Sequence, residues 1–590
     1  MHHIPFKGNQ ALERQSIMKK HLAKSILLLF VLLALACPAS AREDCATKAA
    51  DIIYPAPQQA CLGQAARLAG IPNFSAQTDA FTQKAADHMI AAFQILGIKP
   101  QAARGNVLQI NLLPNTEVRN GAFRDEGYSI EIPASGAPIT VRANSETGFI
   151  YAALTLGQLV HTGADGAPAI YTGTVDDYPA FAFRGVLEGG YEIWQHENRS
   201  DVLRWMGPIK MNYFIYAPKE DPYFRRQWRK PFPQEELDKY REYIAICDEY
   251  NIIFAFSMSP ALNMEYSSDQ EFQTLVAKYR QIQDLGVVHF GIFFDDVLPF
   301  LSTPADQARF EHIAEAEALV TNRLLEFLRK NDPSARLFFV PNQYWGWTPT
   351  KYWEIISRDL NPEIEIGWTG IDIVSKEITV AHAEKFKETV GRYPAIGDNY
   401  SPLYALARRE AGLYKTASSF VNNPYDFAED ELAQLSKFVD ATVGDYAWNP
   451  EGYDPDRSLF EATQRIVGGG EDHTRALLLA LRIGYSHRAS QIQSAWYKDI
   501  KAATETLAQA PAGKLPAQAE ALEKKIHTML ARIRELKGIG MNPLMYGQLE
   551  PILWKADEML STARMALDPA TVAKKNPDSL AAEIKNALKM

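Results

Sequence analysis

Four cysteines in 590 residues are too few for a disulfide scaffold. There is no tandem repeat and no low-complexity tract. Beyond the first 41 residues no apolar run approaches the roughly 20 residues that a membrane-spanning helix needs, so no transmembrane span is expected. Positive charge is also scarce: 61 Lys and Arg face 71 Asp and Glu, a net charge of -10, which argues against a generic nucleic-acid or anionic-membrane binder. No histidine pair has ligand spacing, and His289 stands in the middle of an apolar run. No cofactor and no metal are expected. What remains is a composition 47% hydrophobic and 22% charged, that of a globular chain with sizeable cores. Its length suggests two to four domains, and its charge balance points to a pocket and not a basic face.

The one long apolar stretch, residues 25–36, follows Lys19-Lys-His-Leu-Ala-Lys and precedes the small residues Ala39, Ser40 and Ala41. A basic segment, an apolar core and an A-x-A-like site read as an export signal, with Met18 as a candidate start and the mature chain beginning at Arg42. A lipoprotein signal ending at Cys37 is the competing reading. Either way the expected location is periplasmic or secreted. In an oxidising compartment Cys45 and Cys61 can pair, whereas Cys247, inside a helical pattern, reads as a small buried hydrophobe.

Residues 42–178 mix helical and strand patterns, with candidate strands starting at Val107, Tyr128 and Ile139, and are expected to form a small α/β domain. From 179 to 455 the pattern changes. Strand-like runs at 183–190, 211–218, 252–260, 287–296, 336–344, 363–370, 393–400 and 418–424 alternate with helical stretches. Eight βα repeats over roughly 260 residues predict a closed (β/α)8 TIM barrel. Residues 456–590 are rich in Ala, Leu, Glu, Lys and Arg at three- and four-residue spacing and predict a helical bundle.

The barrel pattern organises the chemistry. Residues 291–296, Gly-Ile-Phe-Phe-Asp-Asp, read as a strand buried on both faces that ends in two carboxylates. At the carboxyl end of a barrel strand such acids belong to a catalytic face, a metal site or a helix cap. Other runs end in Glu188-Gly189-Gly190, Lys219-Glu220-Asp221, Asn342-Gln343-Tyr344, Asp398-Asn399-Tyr400 and Asn422-Asn423. One polar residue after a strand is usually a turn former, but six clusters at the same end of successive strands mark a site.

Five segments, Arg184-Gly-Val-Leu-Glu-Gly-Gly-Tyr, Phe214-Ile-Tyr-Ala-Pro-Lys-Glu-Asp-Pro-Tyr, Phe290-Gly-Ile-Phe-Phe-Asp-Asp, Glu365-Ile-Gly-Trp-Thr-Gly and Tyr446-Ala-Trp-Asn-Pro, resemble glycoside hydrolase family 84. These are the O-GlcNAcase and hyaluronidase-type β-N-acetylglucosaminidases, and the likeness spans about residues 135 to 460. It implies hydrolysis of terminal β-linked N-acetylglucosamine from a glycoconjugate or oligosaccharide, with the sugar's own 2-acetamido group as nucleophile. In that scheme, an exception to the two-carboxylate mechanism, Asp295 orients the acetamido N–H and Asp296 is general acid and then base. Tyr344 matches the tyrosine that holds the acetamido oxygen. Gly189, Lys219, Asn399 and Asn423 match positions that contact or line the sugar pocket.

The chain departs from the family where Gly397 replaces a tryptophan, Gly190 an aromatic, and Tyr404 a sugar-binding aspartate. These changes predict a wider pocket, an altered sugar preference, and Tyr404 as a phenol that stacks on or donates to the sugar. Two rivals follow: a metal-dependent hydrolase using Asp295 and Asp296 as ligands, and a carbohydrate-binding protein whose cleft has lost most turnover.

Overall fold

The computed structural model describes residues 45, 48–68, 71–94, 107–114, 126–191, 193–401, 403–424, 433–468, 470–485 and 494–590. The export segment expected over residues 1–41, with Cys37, lies outside the described residues. Cys45 and Cys61 form a disulfide, and Cys247 is free and buried.

The N-terminal sheet has seven strands, β1 (Gln59–Arg67), β2 (Ile71–Ala76), β3 (Val107–Leu113), β4 (Tyr128–Ile132), β5 (Ile139–Ala143), β6 (Val160–Thr162) and β7 (Pro168–Asp177). Their order is β1-β7-β4-β5-β3-β2, with β6 on β7. Only β3, β4 and β5 have the clean alternation expected from sequence. β1 is rich in Ala and Gln and shifts register between Leu62 and Ala65, which erases the period-two signal. Two helices, Gln83–Gln94 and Glu146–Leu159, cover one face of this sheet.

The eight predicted runs are all strands: β8 (Phe183–Glu188), β9 (Tyr213–Tyr216), β10 (Ile253–Met258), β11 (His289–Phe293), β12 (Arg336–Val340), β13 (Glu365–Trp368), β14 (Ala395–Tyr400) and β15 (Ser419–Pro424). All neighbours are parallel, and β15 pairs β8 to close the barrel. The crossover helices have readable ends. Thr379 caps Val380–Val390, which stops at Gly391 with φ 82°, in the left-handed region that glycine favours. The barrel interior is a packed floor of Tyr213, Ile215, Phe293, Phe338 and Val421. Gly291 makes room for it: a Cβ there would stand 2.4 Å from the Phe338 ring. Side chains filling the interior leave the carboxyl-end mouth as the place for a cavity.

The helix Ala433–Trp448 is buried along its whole length and leads into the C-terminal helices. Among these, Pro455–Val467, Glu471–Gly484, Ala495–Ala508, Leu515–Glu535 and Pro543–Ala566 share a second apolar core. Residues 445–449, which read as the end of the barrel, are a structural junction. Asp445 accepts from Ala56 N at 2.6 Å and Arg457 at 2.9 Å, and the Trp448 indole donates to Asp177 at 2.8 Å. No helix of the described residues is long and apolar enough to cross a membrane.

Candidate active site

Successive residues of a strand point to opposite faces, so Asp295 and Asp296 meet in one cavity only if the backbone turns between them. It does. β11 ends at Phe293, and Asp296 has φ 54°, a left-handed conformation rare for a residue with a side chain. Both carboxylates then reach one ammonium: Lys219, from the segment after β9, donates to Asp295 Oδ2 at 2.6 Å and also to Asp296 Oδ2. Tyr191 donates to Asp296 Oδ2 at 2.9 Å and Tyr344 to Asp296 Oδ1 at 3.0 Å. Asp295 Oδ1 is buried and accepts no hydrogen bond from any described residue. An orphaned acceptor of this kind costs about 1–3 kcal/mol, which a ligand's donor can recover.

These groups line a cavity of about 430 Å³, floored by Phe293 and Val340 and walled by Leu187, Trp368 and Ile373. That is the size and mixed character of a small-molecule site. On its far side the amides fix one another. Gly189 N donates to Asn423 Oδ1 at 3.0 Å, Asn423 Nδ2 to Asn399 Oδ1 at 2.7 Å, and Asn399 Nδ2 to the Ile373 carbonyl at 2.8 Å. Register supports the pairing, since Asn399 stands opposite Asn423 in the β14–β15 ladder. Asp295, Asp296, Tyr344, Gly189, Lys219, Asn399 and Asn423 therefore lie in one cavity, drawn from β14, β15 and the segments after β8, β9, β11 and β12.

The electrostatics follow from Lys219. Burial works against its charge, but the Asp295 and Asp296 carboxylates outweigh that and hold its pKa above the ordinary lysine range. Burial likewise pushes Asp296 up, and the Lys219 charge with the hydrogen bonds from Lys219, Tyr191 and Tyr344 more than reverses it. In the free site Asp296 is thus a carboxylate. Two adjacent acids alone would favour one held proton; a cation seated on both removes that repulsion. Tyr344 is raised by burial first and then by the two aspartates, so its hydroxyl is a donor.

Three readings from sequence need correction. Tyr404 is not a pocket residue: it is buried in the core of the C-terminal helices beside Leu403, Leu435 and Phe438, because the chain turns away from the mouth after β14. Glu188 is a strand-end acid that leaves the pocket, making a two-pronged ion pair with Arg199 at 2.6 and 2.7 Å. Asp221 accepts from the Tyr216 hydroxyl and Tyr223 N, both at 2.8 Å, and is structural. Gly397 does border the cavity, and a Cβ there would meet only Leu187, at 3.9 Å. Tyr191 and Ile373 went without a role in the sequence; Tyr191 had a signal, its place three residues after β8. Among the described residues no group of three or more His, Cys, Asp and Glu is arranged to hold a metal ion.

Residues 184–481 match the family model described as beta-N-acetylglucosaminidase, and residues 51–178 match glycosyl hydrolase family 20, domain 2. Over 243 residues the chain is 32% identical to Protein O-GlcNAcase of Rattus norvegicus and equally to that of Mus musculus. Each match takes in 40% of this chain and 26% of the relative, so the chain spans about a quarter of the length of these curated relatives. The fold is similar to that of CpGH84B, with TM-score 0.72 and 24% identity over 91% of this chain and 95% of that one. It is also similar to a mutant of the Thermobaculum terrenum O-GlcNAc hydrolase, with TM-score 0.59 and 24% identity over 70% and 89%. At these identities the solved structures speak for the fold alone.

Proposed function

The chain belongs to the β-N-acetylglucosaminidase family, glycoside hydrolase family 84, and from that premise we propose that it is a retaining β-N-acetylhexosaminidase acting by substrate-assisted catalysis. The substrate class is a glycoconjugate or oligosaccharide ending in β-linked N-acetylglucosamine. The observation that carries this reading is Asp295 Oδ1, a buried acceptor without a partner beside a tyrosine donor. An acetamido group fits both: its N–H donates to the carboxylate, and its carbonyl oxygen takes over the Tyr344 hydrogen bond that Asp296 Oδ1 accepts in the free site. Asp295 and Asp296 share one ammonium, so they do not flank a sugar from opposite faces as a nucleophile and acid pair must.

The steps balance on these groups. The acetamido oxygen attacks the anomeric carbon as the glycosidic bond breaks, and Asp296 gives its proton to the departing oxygen. The resulting oxazolinium ion, whose N–H stays hydrogen-bonded to Asp295, is opened by water, whose proton returns to Asp296, leaving the β-anomer with its acetamido group restored. Asp296 must first hold a proton, which Lys219 opposes in the free site. Sugar hydroxyls that accept from Lys219 and displace water from the mouth weaken that hold and raise the Asp296 pKa on binding. Gly397 leaves the pocket open beside Leu187 and supports tolerance of a bulkier or epimeric sugar.

Export is part of the proposal. It is supported by the basic and apolar pattern of residues 19–41 and by the Cys45–Cys61 disulfide, a bond suited to an oxidising compartment. Cell fractionation with N-terminal sequencing tests it, and Cys37→Ser separates a lipid anchor from a cleaved signal. The activity is tested by product analysis on N-acetylglucosaminides and N-acetylgalactosaminides. Early release of the β-anomer supports the reading; the α-anomer contradicts it, and binding without turnover favours the carbohydrate-binding alternative.

A further inference from the structure

The left-handed backbone at Asp296 is what brings two neighbouring carboxyls into one cavity, and such a conformation costs about 1–3 kcal/mol unless its surroundings enforce it. Two side chains converge on this turn. The Asn342 amide donates to the carbonyl of Phe294 at 3.3 Å and to that of Val297 at 3.1 Å, the residues on either side of the acid pair. The Arg225 guanidinium donates to the carbonyl of Asp296 itself at 2.7 Å, and this arginine is only 6% exposed. Both clamps are themselves anchored. Asn342 N donates to the Tyr352 hydroxyl at 3.0 Å, and that hydroxyl donates to the buried Glu317; Arg225 N donates to the Asp221 carbonyl.

We infer that Asn342 and Arg225 are positioning residues that fix the left-handed turn at Asp296 and so hold its carboxyl where it can reach the leaving oxygen. Neither touches the acid's side chain; both act through the backbone. The inference rests on the reading of Asp296 as general acid. A misplaced acid hurts most when the departing oxygen needs a proton, and general acid catalysis is worth about 10²–10⁴-fold. Asn342→Ala and Arg225→Met are therefore expected to lower kcat by roughly 10–100-fold on a phenyl N-acetyl-β-glucosaminide. On the 2,4-dinitrophenyl analogue, whose leaving group needs no proton, the loss is about threefold or less, with KM little changed on both. Arg225→Lys, which keeps a cationic donor, restores part of the loss.

Equal losses on both leaving groups, or none, would overturn the inference, since a merely structural role does not sort substrates by leaving group. Asp296→Asn is measured alongside. If that variant shows no leaving-group dependence, the assignment of the acid has failed, and the clamp is then decided by the crystal structure of Asn342→Ala. There Asp296 leaves the left-handed region and its carboxyl swings off Lys219; an unmoved Asp296 overturns the clamp. Should the alanine variant not fold, Asn342→Asp has the same size and no amide hydrogens to donate.

Discussion

Two lysines of this molecule sit against aspartates, one at each end of the barrel, and they behave in opposite ways. Lys210 follows the first crossover helix at the amino-terminal end and is fully buried between the barrel and the N-terminal sheet. It donates to Asp177 at 3.3 Å, to the Tyr128 hydroxyl at 2.6 Å and to Thr155 at 2.9 Å, under the Trp448 ring. Burial drives its pKa down to about 8 despite Asp177. Lys219 at the mouth has two carboxylates and its pKa moves up. The Asp177 carboxylate is saturated by donors, among them Tyr128, Trp448 and the Gln58 backbone N–H. Asp295 keeps an oxygen with no described partner. A satisfied cluster holds a fold together; one with an unmet acceptor on a carboxylate that lines a cavity is prepared for a ligand.

That contrast is broken or sharpened by substitution. The largest effect is expected at the mouth: Asp296→Asn should lower kcat by about 10²–10⁴-fold on a phenyl N-acetyl-β-glucosaminide while the melting temperature holds or rises. At the junction the reverse is expected. Asp177→Asn strands a buried lysine and should cost about 3–5 kcal/mol in denaturant unfolding, with kcat per folded molecule unchanged. If Asp177→Asn impaired turnover and spared stability, the division of labour between the two ends would be wrong.

A smaller, diagnostic effect concerns pH. The Lys219 charge favours ionised Asp296, so Lys219→Met raises the Asp296 pKa, and the protonated acid survives to higher pH. The alkaline limb of kcat/KM should move upward in pH, below a reduced plateau. A downward shift would contradict the ion-pair account. Gly397→Trp should lower turnover of N-acetylgalactosaminides more than of N-acetylglucosaminides, by roughly tenfold in the kcat/KM ratio.

The smallest effect comes from an acid with no cation near it. Burial pushes Glu317 up to about 8 from the ordinary 4.5, so the folded chain holds a proton there that the unfolded chain has lost. Stability from this group is full below about pH 4.5 and declines as pH rises to about 8. Glu317→Gln should melt roughly 2–5 °C above the parent at pH 8, with the gap closing toward pH 4.5.

The barrel was legible because its strands are buried on both faces and end in polar clusters, a pattern that needs no knowledge of partners. The polar clusters at those ends were legible for the same reason, and the resemblance to family 84 singled out Gly189, Lys219, Tyr344, Asn399 and Asn423 within them. What sequence hid was direction. Glu188 and Asp221 end strands as Asp295 does, yet their oxygens are taken by Arg199 and Tyr216. Tyr404 lies four residues beyond β14, where no periodicity says that the chain leaves the mouth for the helical core. Arg225 and Asn342 act on carbonyls more than 40 residues away, contacts that only folding creates.

The central claim is that the substrate brings its own nucleophile to a site whose carboxylates only orient it and shuttle a proton. It is tested most directly by timing one enzyme preparation on two aryl β-glycosides that differ at carbon 2 alone, acetamido in one and hydroxyl in the other. The account predicts steady turnover of the acetamido sugar and none measurable for its hydroxyl counterpart. Comparable rates on the two would contradict it.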